Sequence, residues 1–115
     1  MSQYRTKIVS FIGVKVDAIS MDETMTAFDN MIEEETVHYV SFIDANLYVC
    51  ILKDPKVMSA VQKASLVLPD GIGMMIGARL MGDRLKDRMV GPNVMWNYCC
   101  HAVKKERKHF FYGGD

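Results

Sequence analysis

Short β-rich runs alternating with amphipathic helical stretches predict an α/β fold, with a largely parallel sheet and helices on its faces. Two further observations agree with this. The apolar runs end in polar or glycine-containing turns that open the next helix, as in strand-to-helix connections of such folds. Half of the 115 residues are apolar and both charge signs are well represented, which suits one compact domain with a modest core. Low-complexity tracts, solenoid-period repeats and internal linkers are absent, so residues 1–115 are expected to form a single α/β unit.

From Lys7 to Ile19 the residues Ile8, Val9, Phe11, Ile12, Val14 and Val16 favour extended backbone, with Gly13 marking a turn or bulge between two short strands. Ser20-Met21-Asp22-Glu23 reads as a capping box, because the Ser20 hydroxyl can accept from the Glu23 amide while the Glu23 carboxylate reaches back. A helix follows to about Glu34, its stripe made by Met21, Met25, Phe28, Met31 and Ile32. Val37 to Ile43 predicts a buried strand that exits at Asp44-Ala45-Asn46. Asn46 to Leu52 is helical, and Asp54-Pro55 starts another helix running to about Ala64. Ser65 to Leu68 is the next strand, stopped by Pro69. Asp70-Gly71 then turns into a helix from about Ile72 to Met81. A charged loop covers Gly82 to Arg88, and Gly91-Pro92-Asn93 opens a helix to about Arg107. His109 to Tyr112 predicts one more strand, leading into Gly113-Gly114.

The formal charge is zero, yet basic residues number six against ten acidic ones through Asp70 and eight against four after it. The later part therefore favours anionic ligands or a lipid surface, although Lys104, Lys105, Arg107 and Lys108 also read as a solvated helix end. Cys50, Cys99 and Cys100 form no disulfide framework and read as buried or half-buried thiols. His38, His101 and His109 lack metal-ligand spacing, so neither a metal nor any other cofactor is expected. The N-terminal apolar stretch is broken by Gly13, Lys15 and Asp17, too short and polar for a signal peptide or membrane span. A cytoplasmic location with at most peripheral membrane contact is expected, and nothing calls for a nucleic-acid partner.

Chemistry concentrates at Pro69-Asp70-Gly71-Ile72-Gly73, which places a carboxylate between a strand's carboxyl end and a helix's amino end. Free amides and the helix dipole there suit anions, and the glycines permit close approach. Local sequence alone also reads Asp70 as a helix cap, and favours it. Gly71, Gly73 and Gly77 match a dinucleotide fingerprint poorly, and no acidic residue follows at the ribose-binding distance. The methionines Met74, Met75, Met81, Met89 and Met95 suit a core or an acyl chain, and Trp96 and Tyr98 suit packing or a sugar face.

With these pieces in order, the chain resembles the WecG/TagA/CpsF glycosyltransferases, glycosyltransferase family 26. The likeness runs through Ile12-Gly13-Val14-Lys15-Val16-Asp17-Ala18-Ile19, Asp54-Pro55, Leu66-Val67-Leu68-Pro69-Asp70-Gly71-Ile72-Gly73, Asp87-Arg88-Met89-Val90-Gly91 and Phe111-Tyr112-Gly113-Gly114. It implies a Rossmann-like sheet and inverting transfer of N-acetylmannosamine, or a related sugar, from a UDP-sugar to polyprenyl-diphosphate-linked N-acetylglucosamine for cell-envelope polysaccharide. By the same resemblance Asp70 is the general base and Arg88 a diphosphate ligand, with Asp44, Asn46, Gly71, Gly73, Gly113 and Gly114 around the substrates and no metal. The enzyme would work on the inner face of the cell membrane, and an oligomer is left open.

Three features depart from the family pattern. Phe42-Ile43-Asp44 stands where Thr-x-Asn is common, and Gly91-Pro92-Asn93 replaces Gly-Ser-Asp. Family domains also continue well beyond the Gly-Gly loop, so the chain reads as the N-terminal portion of a longer domain. The alternative is a non-catalytic fragment or interaction module lacking a complete nucleotide site.

Overall fold

The computed structural model describes residues 7–11, 13–82 and 85–113, with side chains from residue 13 onward. Strands β1 (Lys7–Phe11) and β2 (Val14–Ala18) form an antiparallel hairpin, with Val9 opposite Val16. Gly13 sits at φ +83°, a left-handed conformation that costs glycine nothing. Helix α1 (Met21–Glu33) carries the expected capping box, the Ser20 Oγ accepting from Glu23 N–H and Glu23 Oε1 from Ser20 N–H, both at 3.1 Å. Replacing Ser20 by alanine, which removes one arm of the box, is expected to cost about 1 kcal/mol in denaturant unfolding.

Strand β3 (Val40–Ile43) pairs in parallel with β4 (Leu66–Pro69), Val40 opposite Leu66 and Ile43 opposite Pro69. Between them run α2 (Ala45–Lys53) and α3 (Pro55–Gln62), N-capped by Asp44 and Asp54. Pro69 is tolerated because the Asp70 N–H, not that of residue 69, faces β3, donating to the Ile43 carbonyl at 2.8 Å. The other side of β4 meets β2 without a ladder: the Val67 N–H donates to Asp17 Oδ2 at 2.8 Å. Helices α4 (Ile72–Leu80) and α5 (Gly91–His101) complete the fold, followed by a 3-10 turn at Val103–Lys105.

The β3–β4 register divides the core into two layers. Ile43 and Val67 face a cluster with Val14 and Val16 of β2, Tyr48 and Ile51 of α2, Val61 of α3, and Met74 and Ala78 of α4. Leu66 and Leu68 face Met25, Ala27 and Met31 of α1 and Val94 and Tyr98 of α5, with Val40 and Phe42 at the margin. Helices thus cover both faces of the parallel pair, the α/β arrangement expected from the alternating pattern.

The larger differences from the sequence reading lie at the start of β3, the end of α5 and residues 109–112, while β4 runs through Pro69 rather than stopping before it. β3 starts at Val40 rather than Val37, whose side chain is exposed; His38 instead bonds Glu34 at 2.6 Å and Ser65 at 2.6 Å, holding this turn off the sheet. α5 stops at His101 rather than near Arg107, and Glu106 takes a left-handed φ of 52°, so that Lys105 turns inward to a buried carboxylate. His109–Tyr112 forms no strand: it pairs with no neighbour among the described residues, and strand geometry needs one.

Candidate active site

At the carboxyl ends of β3 and β4 two helices begin side by side. Asp44 caps α2, its Oδ1 accepting from the Leu47 N–H at 2.7 Å. α4 starts differently. Its N-cap is Gly71, at φ 95°, and no side chain caps the helix. Asp70 is therefore not the cap that local sequence favoured. Its backbone is fixed by the bond to Ile43, while its half-buried carboxylate makes no hydrogen bond or ion pair among the described residues. The free first-turn amides of α4 and its dipole make this end attractive to an anion.

Gly73 lies where a Cβ would stand 3.9 Å from the Ala45 Cβ, so the first turns of α2 and α4 adjoin. Asn46, in that first turn of α2, is exposed. Asp44, Asn46, Asp70, Gly71 and Gly73 thus share one end of the sheet, although one Asp44 oxygen is committed to capping. Gly113 is exposed at φ 108°, and no hydrogen bond among the described residues draws it to this end. Gly114 lies outside the described residues.

Arg88 arrives through a loop anchored on both sides. The Met89 N–H donates to the Pro69 carbonyl at 2.8 Å, and Met89 is fully buried. Asp87 Oδ2 accepts from Met21 N–H at 2.8 Å, and Lys86 pairs with Glu23 at 2.6 Å, so the loop also grips the start of α1. Burial of Leu85 adds a third anchor. Arg88 and Asp70 therefore flank one backbone hydrogen bond. The Arg88 side chain is exposed and has no ion-pair partner among the described residues.

A second polar cluster escaped the sequence reading. Asp29, nearly buried on α1, accepts from Tyr98 Oη at 2.9 Å, from His101 Nε2 at 2.7 Å and from Lys105 Nζ at 2.7 Å. Burial pushes the Asp29 carboxyl up, but the bonds from Lys105, His101 and Tyr98 outweigh it and hold the group at about 2. Burial first, and then the Asp29 charge, push the Tyr98 hydroxyl up to about 12. Tyr98 is thus a packed residue, not a sugar platform, and Lys105, although exposed, is held by Asp29. Arg107, 3.4 Å from Glu33, ties the same two segments. Cys50 and Cys100 are exposed, against expectation, and only Cys99 is half-buried. Among the described residues no three His, Cys, Asp or Glu side chains converge on a metal position, and no helix is long and apolar enough to cross a membrane.

A cavity of about 460 Å³ lies away from Asp70, near the amino end of β3, lined by residues including Phe28, Met31, His38, Val40 and Tyr98. A smaller one of about 230 Å³ lies between α5, Phe42 and the rings of His109 and Phe111. Asp70 lines neither.

Comparison with known proteins bears on what this arrangement is. The sequence profile of the glycosyl transferase WecG/TagA/CpsF family matches residues 9–115. Two N-acetylglucosaminyldiphosphoundecaprenol N-acetyl-beta-D-mannosaminyltransferases are similar. That of Bacillus subtilis (strain 168) is 26% identical over 98 residues, covering 81% of this chain and 38% of the relative. That of Bacillus spizizenii (strain ATCC 23059 / NRRL B-14472 / W23) is 31% identical over 62 residues, covering 54% of this chain and 24% of the relative. The chain thus spans less than two fifths of the length of these relatives. The profile match takes in the whole strand-to-helix segment around Asp70 and the Arg88 loop, and on that match the chain belongs to the WecG/TagA/CpsF glycosyltransferase family.

Proposed function

We propose that this chain carries the acceptor-activating part of an inverting glycosyl transfer, from UDP-N-acetylmannosamine or a related UDP-sugar to a polyprenyl-diphosphate-linked N-acetylglucosamine. The observation that carries the reading is Asp70: an unengaged carboxylate at the end of β4, immediately before an α4 start that no side chain caps. In this scheme Asp70 takes the proton from the acceptor hydroxyl as its oxygen attacks the anomeric carbon. The bond from that carbon to the diphosphate breaks on the opposite face, so configuration inverts in one displacement. The leaving UDP carries the electron pair away as diphosphate charge, which the α4 amides and Arg88 are suited to meet.

The relatives' names support the N-acetylmannosaminyl and polyprenyl-diphosphate halves of the reading. The acceptor's lipid tail puts the reaction at a membrane surface, for which we propose peripheral contact on the cytoplasmic face. Arg88→Ala is expected to weaken UDP affinity about tenfold by calorimetric titration, the loss of one charge-assisted contact. An unchanged affinity would remove Arg88 from the donor site.

A second reading has its own support, because the chain covers 38% of the Bacillus subtilis relative. Under it, residues 1–115 are the N-terminal portion of a longer domain and supply only part of the nucleotide site. Titration with a UDP-sugar and a transfer assay on this chain separate the two. Submillimolar affinity together with turnover supports a working site, and the lack of both supports the partial one.

A further inference from the structure

Helix α4 is apolar on the side where a surface helix is normally charged. Residues two apart on a helix point to nearly opposite sides, and Met74 and Ala78 are buried against the sheet. Ile72, Ile76 and Leu80 therefore face outward, and they are 63%, 52% and 83% exposed. Spaced at i, i+4 and i+8, they form one stripe along the whole helix. α2 packs on the same face of the sheet and exposes a second apolar stripe at i, i+4 and i+7: Ala45, Val49 and Leu52. Both helices start at the carboxyl end of the parallel pair, where Ala45 adjoins Gly73, so the apolar surface begins beside Asp70.

The charges on this surface have one sign. In α2 and α4 the only charged residues are Lys53 and Arg79, both exposed and neither in an ion pair among the described residues. α1, on the opposite face, carries Asp22, Glu23, Asp29 and Glu33 and no basic residue. An apolar stripe accompanied by cations alone is complementary to a negatively charged lipid surface. Nine residues are too few for α4 to cross a bilayer, so the helix can only lie along one.

We propose that the outer faces of α4 and α2 dock on an anionic lipid bilayer. Ile72, Ile76 and Leu80 enter the boundary between headgroups and acyl chains, and Lys53 and Arg79 meet the lipid phosphates. Asp70 stands just before the stripe, so docking brings the candidate site to the headgroup layer, where the diphosphate of a lipid-linked acceptor lies. The inference assigns a surface to the peripheral contact proposed above, and in that respect it rests on the glycosyltransferase reading.

Vesicle cosedimentation of the whole chain, without nucleotide or sugar, tests it. The expected result is binding to phosphatidylcholine vesicles containing about 30 mol% phosphatidylglycerol, weakened at least fivefold when that anionic lipid is left out. Leu80→Glu is expected to lower the partition coefficient at least tenfold, because a carboxylate replaces an inserted aliphatic group. Arg79→Gln is expected to lower it about fivefold, the loss of one cation at the lipid surface. Both positions are exposed, so the unfolding midpoint stays near that of the parent. Val37→Glu, a like change at a 98% exposed residue outside both helices, is expected to bind within about twofold of the parent. Failure of the parent to bind the anionic vesicles, or binding that Leu80→Glu leaves intact, overturns the proposal. So does a parent that is dimeric by analytical ultracentrifugation and made monomeric by Leu80→Glu, which gives the face to a second copy. Vesicle binding calls on neither Asp70 nor a sugar. Sugar transfer by a protein that does not bind vesicles therefore sinks this inference alone, whereas binding without transfer sustains it while the glycosyltransferase reading fails.

Discussion

Asp70→Asn is expected to reduce sugar transfer by roughly 10²–10⁴-fold, the span attributed to a positioned general base, while UDP affinity and unfolding midpoint stay near those of the parent. The amide has the size of the carboxylate but cannot accept the acceptor's proton. No folded-state contact is lost, because among the described residues the Asp70 side chain bonds nothing and only its backbone N–H is tied, to Ile43 at 2.8 Å. A helix cap would behave otherwise: losing one costs about 1 kcal/mol of stability and need not touch transfer. The separation of the two readouts is the test. Transfer within threefold of the parent would take Asp70 out of the mechanism. A lowered midpoint with proportionately lowered transfer would return it to a structural role.

What could be read from sequence was what local chemistry decides. The Ser20–Glu23 box and the Asp54-Pro55 start are complete within a few residues, and the helices begin there as read. Which layer each β4 side chain enters, Val67 one and Leu66 and Leu68 the other, was not read from sequence and comes from the pairing of β4 with β3. Asp70 and Asp44 show the limit of that approach. Both are aspartates at a strand exit, yet Asp44 caps the helix it precedes and Asp70 does not, because the left-handed Gly71 takes the cap position. Composition carries no trace of which residue the backbone places at the cap. The strand expected at His109–Tyr112 failed for a related reason: its residues favour extension, but a strand also needs a neighbouring edge to pair with, and composition does not supply one. Asp29 is the extreme case, since its three partners lie 69, 72 and 76 residues away. In sequence it is one more acidic residue on the helix it shares with Glu33.

Replacing Asp29 by alanine is expected to destabilise the fold by about 2–3 kcal/mol, lowering the thermal midpoint by roughly 10–20 °C for a domain of this size. The figure follows from what remains behind. Tyr98 is buried, so its hydroxyl loses its acceptor where water does not replace it, and it also packs edge-on to Phe28 at 5.4 Å between ring centres. The side chains of His101 and Lys105 are 38% and 42% exposed and recover part of their solvation, which keeps the cost below that of stranding a fully buried charge. For the same reason Lys105→Ala should cost much less than Asp29→Ala. The pH dependence has a definite sign. A carboxyl held at about 2 in the fold and near its ordinary value when unfolded takes up its proton first in the unfolded chain. Its contribution is therefore present above about pH 4 and is lost as the pH falls from there through 2. The midpoint gap between the parent and Asp29→Ala should be constant from pH 5 to 7 and close steadily below pH 4. A gap that persists unchanged to pH 2 would show that Asp29 contributes through packing alone. A gap that closes as described would show that the charge itself holds α1 to the carboxyl end of α5, from which the His109–Tyr112 segment departs.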